Sequence, residues 1–250
     1  MRSVILFNDT FTNYCEPDIG LAACDVLAGS GVRARVVRHG CCGRPLISKG
    51  MLDAARSLAE ANADALSAEE SPILFLEPSC LSAVREDAPA LLRGDAQQKA
   101  RRVADRCLLF EEYVERVWRD GSILGWTRGW TPPRLLPGPS TVLLHGHCHQ
   151  NAMGLVRPAR ALLSRIPSCS VIDLDAGCCG MAGSFGYGRE HYEISRQIGE
   201  RRLFPAARGM DGRAILVASG TSCRQQVAHF TEVRAVHPAV LLRSLMAPLE

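Results

Sequence analysis

Two adjacent-cysteine loops, Gly40-Cys41-Cys42-Gly43 and Gly177-Cys178-Cys179-Gly180, divide this chain into halves that carry one and the same cysteine order. In each half a single cysteine comes first, the Cys-Cys-Gly loop second and another single cysteine last. The first set is Cys15, Cys41, Cys42 and Cys80, and the second is Cys148, Cys178, Cys179 and Cys223. Eight of eleven cysteines thus fall into two matched sets, and any fold for this chain must explain why.

A chain of 250 residues, 47% of them hydrophobic, can bury two modest cores, and the repeat favours two domains over one. The formal net charge of +3 is small. Basic and acidic residues alternate without forming a stripe, so electrostatics gives no case for a nucleic-acid partner. The apolar run after Met1-Arg2-Ser3 is cut short by Asn8-Asp9 and does not form a signal peptide. No stretch approaches the roughly 20 apolar residues of a membrane helix. A cytoplasmic location is expected, where thiols stay reduced, and a high cysteine content there points to metal or redox chemistry ahead of structural disulfides.

Short strand-like runs alternate with helical patterns through both halves, which predicts an α/β fold of two pseudo-repeated, open, mostly parallel sheets with flanking helices. The runs are residues 4–7, 34–38, 73–76 and 108–110, then 142–144, 170–174 and 215–218, with 235–236 as a short eighth. Between them, helical spacing aligns Met51, Leu52, Ala55, Leu58, Ala59 and Leu66, then Leu81, Val84, Ala88 and Leu91. It also aligns Leu155, Ala159, Leu162 and Ile166, then Ile194, Ile198 and Leu203, all read as core stripes. The stretch 119–140 breaks the pattern with Pro, Gly and Trp. Domains are therefore placed at 1–125 and 141–250, with a linker over 126–140. Trp126 and Trp130 are expected to pack between the halves or onto a partner.

In an open parallel sheet every strand points its carboxyl end to one edge, and the loops leaving that edge form a crevice. Cys15, Cys41/Cys42 and Cys80 follow successive strands, as do Cys148, Cys178/Cys179 and Cys223. Topology alone brings four thiols together in each half. Four sulfurs suit zinc or an iron-sulfur cluster. Adjacent cysteines address two metal atoms of a larger cluster more easily than one ion, which favours a cluster, most simply [4Fe-4S], and leaves zinc as the alternative for one half.

Such a cluster is anionic, so cations and N–H donors nearby stabilise it. Arg44, Arg224 and the run His145-Gly146-His147-Cys148-His149-Gln150 stand close enough in sequence to serve, with helix capping as the competing role for His149 and Gln150. With four cysteines present, His147 is expected beside the metal and not on it. Cys24, Cys107 and Cys169 read as buried core thiols. No dinucleotide or phosphate-loop fingerprint appears, so neither FAD nor NAD is assigned to this chain, and no catalytic acid or base is singled out.

The segments EPSC at 77–80, HGHCHQ at 145–150, GCCGMAGSFGY at 177–187 and SGTSCRQQ at 219–226 resemble the cysteine-rich CCG domain of iron-sulfur oxidoreductase subunits. That family includes heterodisulfide reductase, glycolate oxidase, anaerobic glycerol-3-phosphate dehydrogenase and lactate-utilisation proteins. The motifs are most similar to the C-terminal region of FAD-linked D-2-hydroxyacid dehydrogenases. The resemblance implies an electron-transfer module that passes electrons from reduced flavin toward a quinone or another acceptor. It implies as partners an FAD-linked dehydrogenase subunit and a ferredoxin-type iron-sulfur subunit, at the inner face of the cytoplasmic membrane.

Two departures matter. The family pattern ends each module with C-x-x-C, and here Ala83 and Gln226 occupy the second position. That puts in doubt a non-cubane cluster and heterodisulfide-reductase-like chemistry at the crevice. A structural or assembly module holding zinc or free thiols is one alternative to the electron-transfer reading, and thiol/disulfide chemistry of the heterodisulfide-reductase kind at the crevice is the other. The first half has no counterpart of GMAGSFGY after its cysteine pair, so its pocket is expected to be built differently.

Overall fold

The computed structural model describes residues 2–120 and 131–247. It divides into two compact units, Met1–Pro132 and Pro133–Glu250. Trp126 and Trp130 lie outside the described residues.

The first unit is built on a four-stranded parallel sheet in the order β2-β1-β3-β4, with β1 at Arg2–Leu6, β2 at Val32–Arg35, β3 at Ile73–Phe75 and β4 at Cys107–Leu109. Val4, Ile5 and Leu6 of β1 and all of β3 and β4 are buried, as expected of parallel strands covered on both faces. The connecting helices are α1 (Thr10–Tyr14), α2 (Pro17–Ala28), α3 (Arg44–Ser48), α4 (Leu52–Leu66), α5 (Pro78–Ser82), α6 (Ala88–Leu91), α7 (Gly94–Ala104) and α8 (Phe110–Asp120). One π-helical turn, Ala83–Asp87, joins α5 to α6.

The second unit repeats the arrangement with three parallel strands in the order β6-β5-β7, where β5 is Thr141–His145, β6 Ser170–Asp173 and β7 Ala214–Ala218. Residues 235–236 do not extend the sheet as a strand. Val236 makes an isolated parallel bridge to Val217. The helices are α9 (Cys148–Ala152), α10 (Val156–Leu163), α11 (Tyr192–Glu200), α12 (Leu203–Arg208), α13 (Thr221–Thr231) and α14 (Pro238–Leu245). Alternate residues of β5 feed opposite faces. Val142 and Leu144 join Ala159, Leu163 and Leu241 on one side, and Leu143 packs on the other with Leu216, Phe204, Val227, Cys179 and Cys223. The second set of cysteines therefore grows directly out of a hydrophobic core.

Some core stripes differ from expectation. Met51 and Leu52 are exposed, so α4 buries Ala55, Ala59, Ala63 and Leu66 instead. Ile194 is 50% exposed, and α11 turns Ser195 and Gly199 inward. Small residues are required there because a Cβ on Gly199 would fall 2.1 Å from the Phe204 ring. Of the three cysteines read as core, Cys107 is buried, but Cys24 and Cys169 are only partly so. Cys24 shares α2 with the exposed Leu21, and Cys169 sits at the margin of its cluster just before the edge strand β6.

Candidate metal centre

Each sheet has its switch point where the chain turns to opposite sides, between β1 and β3 in the first unit and between β5 and β7 in the second. The loops after these strands carry the single cysteines, and the loops after β2 and β6 carry the pairs.

In the second unit the four sulfurs form an unbroken row: Cys148 contacts Cys178, Cys178 contacts Cys179, and Cys179 contacts Cys223. Cys148, at the start of α9, is exposed, while Cys179 and Cys223 are buried. Protonation alternates along the row. Hydrogen bonding from Cys148 and then Cys179 holds Cys178 far below the ordinary thiol range. Contact with Cys179 does the same for Cys223 against the opposing effect of burial, helped by His145 and His147. Cys148 and Cys179, as the donors to Cys178, are pushed up.

The backbone completes this pattern, and both units do it alike. Gly180 N–H donates to Cys178 Sγ at 3.3 Å, and the Met181 N–H is directed at Cys179. In the first unit Gly43 N–H serves Cys41 and Arg44 N–H serves Cys42. Each cysteine of a pair thus takes an N–H from two residues on. Aiming these groups requires positive φ at the glycine that closes the loop, +86° at Gly43 and +103° at Gly180.

Several residues expected around the metal have other partners. His147 caps α9, its Nδ1 accepting from His149 N–H at 3.2 Å. Gln150 closes the capping box through its Oε1, which accepts from His147 N–H at 3.2 Å. The capping role expected as the alternative for Gln150 is therefore the one seen. His149 stacks on the His147 ring. Arg224 is buried and gives hydrogen bonds to Ala218 O at 3.0 Å, Ser219 O at 2.8 Å and Thr221 Oγ1 at 3.1 Å, fastening the loop that holds Cys223. Gln226, where the family pattern has a cysteine, donates to Cys179 O and to Ser195.

In the first unit Cys42 and Cys80 lie 3.1 Å apart, and Cys41 contacts Cys42 and Thr10. Cys15 is exposed at the end of α1, and among the described residues no sulfur contact joins it to the other three. The surroundings are acidic. Asp9 caps α1, Glu77 caps α5, and both are buried. The contact with Cys42 lowers Cys80, but burial and the charges of Asp9 and Glu77 outweigh it and hold the thiol above its ordinary range. Cys42 is raised as well: the Cys41 contact lowers it, and contact with Cys80 together with burial overcomes that. Arg44 turns toward α5, with hydrogen bonds to Ser79 O at 3.4 Å and Ser82 Oγ at 3.1 Å and an ion pair to Asp87.

Asp9, Glu77 and His145 are the site residues that the cysteine pattern does not announce. Their common signal is position: each is a polar residue at or just beyond the carboxyl end of a central strand. His145, the last residue of β5, is 1% exposed, and among the described residues neither ring nitrogen has a hydrogen bond of ordinary geometry. The ligand atoms of His145, Cys179 and Cys223 all lie within 4.8 Å of one another. A row of four cysteine sulfurs ending beside a buried imidazole is a donor set that fits a borderline or soft metal.

Parallel α/β units with cysteines gathered at the carboxyl edge define a thiolate-site protein in tandem. The cysteine-rich domain model, CCG, matches residues 11–85 and again 142–228, and the chain belongs to that family. It is 30% identical to a subunit of the anaerobic glycerol-3-phosphate dehydrogenase of Escherichia coli K12, over 98% of this chain and 59% of that protein. It is 27% identical to the D-2-hydroxyglutarate dehydrogenase of Pseudomonas putida, over 95% of this chain and 22% of that one. A subunit of the CoM/CoB fumarate reductase from Methanothermobacter marburgensis is 24% identical over 78% of this chain and 36% of its own length. The chain spans about three fifths of the length of the Escherichia coli relative.

Proposed function

We propose that the second unit holds an iron-sulfur cluster, [4Fe-4S] in type, through Cys148, Cys178, Cys179 and Cys223, and that the chain is an electron-transfer module of a flavin-dependent dehydrogenase. The observation that carries this is the continuous row of four sulfurs running from an exposed to a buried end. The cluster, when bound, supplies one-electron transfer. This chain's residues bind it, donate N–H groups to its sulfurs from the loop after Cys179, and wall off its inner end with Leu216, Phe204 and Val227. Such donors and burial are the protein's means of setting potential. Cys148, at the surface, is the point of approach for a redox partner.

The names of the relatives, dehydrogenases of glycerol 3-phosphate and of D-2-hydroxyglutarate, support a dehydrogenase flavoprotein as the electron source. A ferredoxin-type subunit as intermediary and a quinone or other acceptor beyond it rest on the resemblance of the motifs alone. No helix of the described residues is long and apolar enough to cross a membrane, so contact with a quinone pool at the inner face of the cytoplasmic membrane would run through partners. Gln226 and Ala83 supply no fifth sulfur, which weighs against disulfide chemistry at the crevice.

Anaerobically purified protein is expected to be brown, to contain iron and acid-labile sulfide, and to bleach with dithionite. Cys178→Ser should abolish the colour without unfolding the chain. Colourless wild-type protein with stoichiometric zinc in the second unit would sink the redox role and leave a structural module.

The geometry of the first unit supports a different metal state there: three sulfurs in contact beside two buried carboxylates suit zinc or free thiols better than a cluster. Replacing Cys41 and Cys42 together should then remove zinc and leave the iron content unchanged.

A further inference from the structure

We propose that His145 supplies a nitrogen ligand to the metal centre of the second unit. The inference rests on the cluster reading above and adds to it a donor that is not a cysteine.

His145 ends β5 between the two loops that flank the switch point, and β7 pairs with it directly through Ala218. Its ring is therefore fixed by the sheet and not by a mobile loop. Both ring nitrogens are buried, and neither makes a hydrogen bond of ordinary geometry among the described residues. Among the described residues, a contact with the Cys223 sulfur is all that stands in for the hydrogen bonds to water this imidazole has given up, a weak replacement that a metal bond would improve on. What faces the ring is sulfur: Cys223 lies against it, and Cys179 completes a three-atom set within 4.8 Å.

The neighbouring histidines do not compete for the role. His147 Nδ1 accepts from His149 N–H in the cap of α9 and stands 3.9 Å from Cys148 Sγ, at the outer end of the row, and its ring lies against Gly220, where an added Cβ would fall 2.2 Å from Cδ2. His149 is stacked outside it. The position left vacant by sulfur at Gln226 is filled by an amide bound to Ser195 and Cys179 O, so the inner end of the sulfur row has one further donor pointed at it, and that donor is His145.

The test is pulsed EPR on the anaerobically purified, dithionite-reduced full chain, with and without ¹⁵N-histidine. The expected result is a nitrogen coupling of the size of a metal-bound imidazole that changes with the label. His145→Ala should lose it and shift the midpoint potential, while His147→Ala and His149→Ala keep it. Those two controls identify the ligand even if His145→Ala does not fold. A brown wild-type protein with only weak histidine coupling would make His145 a cation beside the sulfurs and overturn the inference alone. Coupling lost in His147→Ala instead would also overturn it. An iron-free, colourless wild-type protein would overturn the cluster reading itself.

Discussion

The side-chain amide of Gln226 donates to the main-chain oxygen of Cys179 at 3.2 Å, binding α13 to the loop whose sulfurs define the site. The same Nε2 reaches Ser195 Oγ at 2.8 Å on α11. A position that holds a cysteine in the family pattern here holds a structural clamp. Gln226→Ala removes the donor shared by Cys179 O, Ser195 O and Ser195 Oγ, and a loss of about 1–3 kcal/mol in unfolding free energy is expected by urea titration. An unchanged midpoint would show that the clamp carries no stability.

The glycines flanking the second cysteine pair should differ sharply in tolerance. A Cβ on Gly180 would stand 2.1 Å from Ser195 O, on top of a φ of +103°. On Gly177, at φ +68°, it would meet nothing within 4 Å. Gly177→Ala is expected to cost about 1–2 kcal/mol, from backbone conformation alone. Gly180→Ala adds overpacking against a main chain, for roughly 2–5 kcal/mol in all. Thermal denaturation of the two variants side by side decides this, and equal losses would contradict the close contact of the loop with α11.

Burial raises the Asp9 carboxyl above its ordinary value, against the hydrogen bonds from Thr12 and Phe11 that favour the anion. The folded state then binds the proton more tightly than the unfolded one. Stability from this group is full below the ordinary carboxylate value and is lost as pH rises through the raised one. Asp9→Asn keeps an oxygen for the α1 cap and removes the buried charge. Urea unfolding of metal-free protein should show the variant gaining on wild type as pH rises from acidic to neutral. A gain that grows toward low pH would contradict the assignment.

Thiol reactivity should follow environment and not the order of the motif. Burial pushes Cys107 up to about 12, and its sulfur contacts Val103 O at 3.3 Å. Hydrogen bonds from Cys148 and Cys179 pull the half-buried Cys178 well below the ordinary thiol range, and Cys15 is open to solvent. With iodoacetamide at mildly alkaline pH, metal-free folded protein should be alkylated at Cys178 and Cys15 and spared at Cys107, as read by peptide mass spectrometry. Early modification of Cys107 would mean that β4 opens readily.

The sheets, and the convergence of the motif cysteines apart from Cys15, were legible because parallel-strand topology is strongly constrained once the apolar runs are found. Cys15 stays at the exposed end of α1, where strand order does not reach. Residues 73–75 and 142–144 fall inside the strands expected of them. The β2 strand ends at Arg35, short of the expected 38, since residues 36–43 leave the sheet to bring the cysteine pair across to Cys80. Periodicity failed at α11, where Ile194 and Ile198 looked like a core stripe. Close approach of Gly180 and Gln226 demands small inward residues, a tertiary requirement that hydrophobic spacing does not encode. His145 was visible only as one of a histidine-rich run. Its distinction from His147 is hydrogen bonding, one ring engaged in a helix cap and the other not, and sequence spacing carries no trace of that.

The two loops present their cysteines to the same backbone donors but in opposite electrical surroundings, carboxylates at Asp9 and Glu77 in one unit and imidazoles at His145 and His147 in the other. Duplication of such a unit can preserve every sulfur while the copies diverge in what they accommodate. When relatives of this chain are sorted, the informative columns are then the strand-end positions corresponding to residues 9, 77 and 145. An inventory of cysteines would score the halves as equals.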